Sequence, residues 1–317
     1  MARCAIARLM LAITIASCAV VARGQQGPLL TLPSTPVIPP PSLPAPPLPP
    51  PTLQPPTVPI DASADDDVWA WRVVPDGLVY RSYLAGVKEP RLGIAMGYTR
   101  GFGNTWDAQL GGRVALLRYG TPRAYRPEGW ELQFEGAALP RLLPFEESAP
   151  LVSTDYRAGF PIVWAGGPWQ FKTGYAHLSS HLGDEFMQLH PTIPRINYVR
   201  DAIMLGVGYY YTDDLRLYGE VDYGFNIGGG AMPWEFQVGA DYSPAVLGGA
   251  PFAAVYGDLR PEVNGGYFVV QTGWQWRGGA AMHTLRLGVQ YLNGKSPQFE
   301  FFNQFETQTG FGIWYDY

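Results

Sequence analysis

From Arg91 to Tyr317 the apolar residues recur with a period of two, in stretches of about ten residues, and that pattern most constrains what this chain can become. Leu92, Ile94, Met96 and Tyr98 alternate with Arg91, Gly93, Ala95 and Gly97. Trp130, Leu132 and Phe134 alternate with Glu131, Gln133 and Glu135, and Leu285, Leu287, Val289 and Tyr291 with Arg286, Gly288 and Gln290. Successive side chains of a strand point to opposite faces, so each stretch has one apolar, aromatic face and one face of charge, amide or glycine. A soluble β-sandwich also alternates, but its strands are often shorter and its polar face looks at water. Ten-residue strands with aromatics near their ends fit a transmembrane barrel, whose apolar face looks outward and whose polar face lines the interior.

Twelve such strands are expected, starting near Arg91, Trp106, Gly129, Val152, Trp169, Asn197, Asp214, Pro233, Pro251, Gly266, Met282 and Gln308. The expected fold is therefore all-β, a single antiparallel transmembrane β-barrel. An even number puts both ends of the barrel on one side, the periplasm for an outer-membrane protein. Links after odd strands should then be extracellular and long, as Leu139–Leu151, Ser180–Ile196 and Asn293–Thr307 are. Links after even strands should be short, as at Ala165–Pro168, Thr212–Asp214 and Gly278–Ala281. The link Gly120–Pro127 is longer than this rule expects.

The first 90 residues have a different character. Residues 1–24 read as an export signal, with Arg3 and Arg8, an apolar core from Leu9 to Val21, and a small-x-small site at Ala22-Arg23-Gly24. Both cysteines, Cys4 and Cys18, lie within it, so the exported part can form no disulfide or thiolate metal site. Ile15-Ala16-Ser17-Cys18 also fits a lipoprotein signal, in which Cys18 would carry lipid. Residues 25–68 are proline-rich and end in acidic residues from Asp61 to Asp67. At ~3.1 Å per residue such a tether reaches on the order of 100 Å, enough for contact with the cell wall. Residues 69–317 form the barrel domain, with 69–90 as a pre-barrel segment that plugs or caps the periplasmic mouth. No apolar run after the signal is long enough for a spanning helix, and no basic stripe offers a nucleic-acid surface.

Three of the four histidines fall between Tyr175 and Asp201. On the fifth expected strand Phe171, Thr173, Tyr175, His177 and Ser179 share the outward phase. On the sixth, Asn197 and Asp201 share the outward phase of Val199 and Ile203. Neighbouring strands thus bring a His, a Ser and an Asn or Asp to one outward patch. Polar groups facing lipid are costly unless paired or functional. A serine hydroxyl becomes a nucleophile when an imidazole accepts its proton and a third group holds the imidazole tautomer. Ser179 would be the nucleophile, His177 the base, and Asn197 the orienting partner, with Asp201 as the second choice, acting on a lipid acyl ester. A metal site drawing on His181, His190 and the acidic pair Asp184 and Glu185 matches no standard spacing. His283 reads as a rim residue, and Gly228-Gly229-Gly230 as a turn.

This stretch resembles the outer-membrane phospholipase A family, a twelve-stranded barrel with a His-x-Ser pair on one strand and an Asn on the next. Lipid A deacylases also use a His-x-Ser pair in a barrel. The first resemblance implies a serine-type phospholipase that dimerises with calcium, with Asp184 and Glu185 as candidate calcium ligands of hard-oxygen type. It covers some 25 residues, and that family follows its Ser with Asn-Gly where this chain has Ser180-His181. The strings Tyr80-Arg81-Ser82-Tyr83-Leu84-Ala85-Gly86, Glu89-Pro90-Arg91 and His177-Leu178-Ser179-Ser180-His181-Leu182-Gly183-Asp184-Glu185 resemble more closely a bacterial outer-membrane family of unassigned function, over most of the chain after Trp69. The ending Gly312-Ile313-Trp314-Tyr315-Asp316-Tyr317 resembles the strand that barrel-insertion machinery reads. The expected location is the bacterial outer membrane, with its lipid as partner. The expected function is that of a structural or small-solute barrel, lined by Arg113, Arg157, Arg216, Glu131, Glu135 and Glu220, with lipid acyl hydrolysis by the outward patch as the alternative.

Overall fold

The structure is a computed structural model, and it describes residues 58–59, 68–278 and 282–317. The export signal, the possible lipidation of Cys18 and nearly all of the proline-rich tether lie outside the described residues. Of the tether, Val58–Pro59 pairs with Val246–Leu247 through backbone hydrogen bonds.

Twelve strands close into an antiparallel barrel: β1 (Leu92–Thr99), β2 (Gly103–Gly120), β3 (Gly129–Leu142), β4 (Leu151–Gly166), β5 (Trp169–Leu182), β6 (Val199–Tyr210), β7 (Leu215–Gly228), β8 (Trp234–Tyr242), β9 (Val246–Arg260), β10 (Gly265–Gly278), β11 (His283–Lys295) and β12 (Phe305–Asp316). Each strand pairs with its sequence neighbours, and β12 pairs with β1 through Tyr315↔Leu92 to Gln308↔Thr99, which removes every free edge. The strand count and the long links after β3, β5 and β11 agree with the alternation. A four-residue strand, Ala70–Val73, extends the sheet alongside the end of β2.

Burial follows the two phases. Trp130, Phe134, Ile162, Phe171, Leu205, Trp234, Trp274, Phe311 and Ile313 are exposed on the outer wall, while Arg118, Glu131, Gln133, Glu135, Arg141, Arg286 and Gln271 are buried inside. Among the described residues no helix is long and apolar enough to cross a membrane, which has no bearing on strands that cross.

The interior is filled. The pre-barrel segment from Asp76 to Arg91 runs within the wall: Val79, Tyr80, Tyr83 and Ala85 are fully buried. Tyr83 donates to Glu220, which also pairs with Lys172 at 2.5 Å. The backbone N–H of Val79 donates to Glu131 at 3.0 Å, and Arg91 meets Asp316 at 2.9 Å. From the opposite end the β11–β12 link turns inward and buries Phe299, Glu300 and Phe301. The two meet at buried Asp155, which pairs with Lys88 of the segment, accepts from Ser180 of β5, and takes the N–H of Phe299 at 3.4 Å. A barrel of this size can be filled by side chains alone; here chain from both ends completes the filling. The long link from Thr121 to Glu128 has its explanation in this packing, since its Tyr125 folds over the mouth beneath Arg81 and Arg277.

Candidate functional site

The outward patch on β5, β6 and β7 forms where antiparallel pairing sets His177 directly opposite Asp201. Opposed Cβ atoms in such a pair lie about 4.5–5.5 Å apart, within reach for a short side-chain contact. His177 Nδ1 and Asp201 Oδ1 are 2.7 Å apart. The Tyr175 hydroxyl, two residues before His177 on the same face, donates to the same Oδ1 at 2.6 Å. The Asn226 amide donates to Oδ2 at 2.6 Å. Both carboxylate oxygens are thus engaged, and the Asp201 side chain is only 15% exposed against 35% for His177. Hydrogen bonds to a charged acceptor are among the stronger ones in proteins, so the carboxylate is held in one place beside the imidazole.

Asn226 reaches this patch through an irregularity. Asp201 pairs with Asn226 but Ala202 pairs with Gly224, so Phe225 is an extra residue on β7. Such a bulge shifts the phase by one and re-aims the next side chain. Strict alternation would put Asn226 inside with Asp222 and Gly224; the bulge turns it outward. Period-two reading therefore missed it. Tyr175 lies on the face its phase predicts, but strand phase alone carries no information on the reach of its hydroxyl to Asp201. Close by, Gly174 (φ +150°) lies opposite Pro161, where a Cβ would come within 2.4 Å of the Phe160 carbonyl oxygen, so the strand takes glycine there.

Ser179 occupies the same outward phase, between Tyr156 of β4 and Val199 of β6, and is partly exposed. Among the described residues no hydrogen bond joins it to His177, whose bonded nitrogen is Nδ1. The imidazole Nε2 is the nitrogen left for a hydroxyl on that face.

Asn197 does not join the cluster. Its φ of +53° is left-handed, it precedes β6, and its N–H donates to Glu300 at 3.0 Å. The break in extended backbone cancels the alternation that would have aligned it with Asp201, so Asp201 and not Asn197 is the imidazole's partner. Asp184 and Glu185 form the exposed first turn of the short helix α1 (Asp184–Leu189). No group of three His, Cys, Asp or Glu side chains suited to a metal occurs among the described residues; calcium takes six to eight oxygens, and this pair alone supplies a minority of them. His181 contacts Arg195 at 3.0 Å, and His190 stacks on Phe186. His283 packs against Tyr315 and Tyr317 at the barrel rim.

Solved structures with a related fold include outer-membrane phospholipases. Outer membrane phospholipase A from Escherichia coli aligns with a TM-score of 0.50 at 14% identity, over 71% of this chain and 92% of that one. The phospholipase dimer of Salmonella typhi with bound calcium aligns with a TM-score of 0.49 at 13% identity, over 71% and 90%. At these identities the likeness concerns the twelve-stranded barrel. A comparison with curated proteins gave no match. Residues 62–317 match one family model, so the chain belongs to the family described as "Protein of unknown function (DUF1207)".

Proposed function

We propose that this barrel resides in the bacterial outer membrane and hydrolyses acyl esters of the lipids around it, with Ser179 as nucleophile, His177 as general base and Asp201 as the residue that orients the imidazole. The observation that carries the reading is the 2.7 Å contact between Asp201 and His177 Nδ1 on the outward face, with both oxygens of Asp201 fixed by further donors. A carboxylate on Nδ1 holds the tautomer whose Nε2 is free to accept a proton. The Ser179 hydroxyl would give its proton to Nε2 as Oγ bonds to the ester carbonyl carbon. Collapse of the tetrahedral intermediate would break the bond to the alcohol oxygen, which leaves with that proton. Water, deprotonated by the same imidazole, would then release the fatty acid from Ser179. Hydroxyl and imidazole come within bonding distance when substrate is seated, as apo contacts of this kind are often long.

The outward position supports a lipid substrate, because lipid reaches this face without entering the barrel. The filled interior supports this reading over a solute channel. The export signal read at residues 1–24 and the aromatic final strand support delivery to the outer membrane. A second reading, a purely structural filled barrel, is favoured by the missing bond between Ser179 and His177. The test is acyl release from detergent-dispersed phospholipid by the purified full chain and by Ser179→Ala. Release by the parent and none by the variant, with the heat-modifiable folded band intact in both, supports the enzyme. Equal release, or none from either, favours the structural reading. Planar-bilayer recording should be silent.

A further inference from the structure

At the end of the barrel opposite the α1 link, the lumen opens into a small pocket lined by Arg81, Tyr125, Asp214, Arg216, Asp241 and Arg277. Most charges lining it are paired: Arg216 with Asp241 at 2.8 Å, Arg113 with Glu89 at 3.2 Å, and Asp316 with Arg91 and Arg286 behind it at 2.9 and 2.6 Å. Two guanidiniums are not. Arg277, on the inner face of β10, is 4% exposed, and its Nη2 donates to the Ser243 hydroxyl at 2.9 Å. Its Nε and Nη1 are buried with no hydrogen-bond partner among the described residues. Arg81, from the pre-barrel segment, has no carboxylate partner among the described residues either. Both lie over the Tyr125 ring, with 4.6 Å from Arg81 and 4.9 Å from Arg277 to its centre.

A buried guanidinium that lacks acceptors is costly, and a ring offers only part of what a carboxylate or phosphate would. Among the described residues Asp214 is the one carboxylate lining the pocket that is not committed to an arginine there, and its Oδ1 accepts the N–H of Ala245. One such cation, Arg277, with the partly exposed Arg81 beside it, forms a planar-donor clamp for oxyanions in a pocket partly shielded from water. We propose that Arg277 and Arg81 bind a small oxyanion, a phosphate or carboxylate group, at the mouth of the barrel, and that the anion ties the pre-barrel segment, through Arg81, to the wall, through Arg277. The site lies at the barrel end away from the outward His177 patch and does not depend on that patch being catalytic.

Calorimetric titration of inorganic phosphate into the detergent-solubilised full chain, at ionic strength fixed with chloride, tests this, with acetate as the second arm. Saturable binding is expected for at least one of the two, and the tighter arm names the group. Arg277→Gln and Arg81→Gln should each weaken that binding at least tenfold, while Arg126→Gln, at the rim and paired with Asp213, should leave it unchanged. The heat-modifiable band reports folding, and if Arg277→Gln fails to fold, Arg81→Gln carries the same expectation. No saturable binding in either arm, or unchanged affinity in Arg81→Gln, overturns the proposal.

Discussion

Ser179 and Ser180 are consecutive, yet they stand on opposite sides of the barrel wall. Ser180 points inward and donates to Asp155, a fully buried carboxylate that also pairs with Lys88 and takes the N–H of Phe299. Ser179 points outward, two residues from an imidazole held by Asp201, whose other partners are Tyr175 and Asn226. Each carboxylate therefore gathers three donors, with different consequences. Asp155 joins three separate parts of the chain, the pre-barrel segment, β5 and the β11–β12 link, so its partners close the interior. Asp201 joins only neighbours on the outer surface of β5, β6 and β7, and its cluster ties together nothing that the sheet has not already joined. A polar cluster that does little for closure, on a face otherwise apolar, is where function is to be sought.

If that contrast is right, substitutions on the two sides should separate activity from stability. The largest effect is expected for Ser179→Ala, with acyl release falling to background, a loss on the order of a thousandfold or more, and an unfolding midpoint like the parent's. Asp201→Asn should lower release by roughly a hundredfold to ten-thousandfold through loss of the correct tautomer, checked in the same lipid assay. On the inner side, Asp155→Ala strands the Lys88 ammonium in a buried site and should cost about 3–5 kcal/mol of stability. Denaturant titration reads this, and release per folded molecule should be unchanged. Asn226→Ala removes one hydrogen bond to a charged acceptor and should reduce release by about tenfold, with little change in stability. The smallest effect is expected for Ser180→Ala, about 1–3 kcal/mol of stability and no loss of release. A large activity loss in Ser180→Ala or a large stability loss in Ser179→Ala would erase the distinction.

Much of this was legible in the sequence, and the physical reason is regularity. Strand number, closure and the facing of His177, Ser179 and Asp201 all follow from a period of exactly two side chains per repeat, which β5 and the central part of β6 keep without interruption. The period fails wherever the backbone leaves the extended region. A left-handed Asn197 ends the phase before β6 begins, and the extra Phe225 inverts it on β7, so one expected partner was displaced and Asn226 was hidden. Filling of the interior was legible only as an expected plug or cap. Tyr80, Tyr83 and Lys88 carry no periodic signal, because their positions depend on long-range contacts with Glu220, Lys172 and Asp155.

The assignment of chemistry to the outer face can be tested most directly by the covalent chemistry of Ser179 itself. The folded full chain, in detergent, is treated with a long-chain alkyl fluorophosphonate, which esterifies activated serines, and its peptides are weighed by mass spectrometry. One adduct on Ser179 is expected, absent in Ser179→Ala and strongly slowed in His177→Gln, with Ser180 unmodified. A parent protein that takes up no label, or labelling that persists undiminished in Ser179→Ala, would contradict a catalytic outer patch.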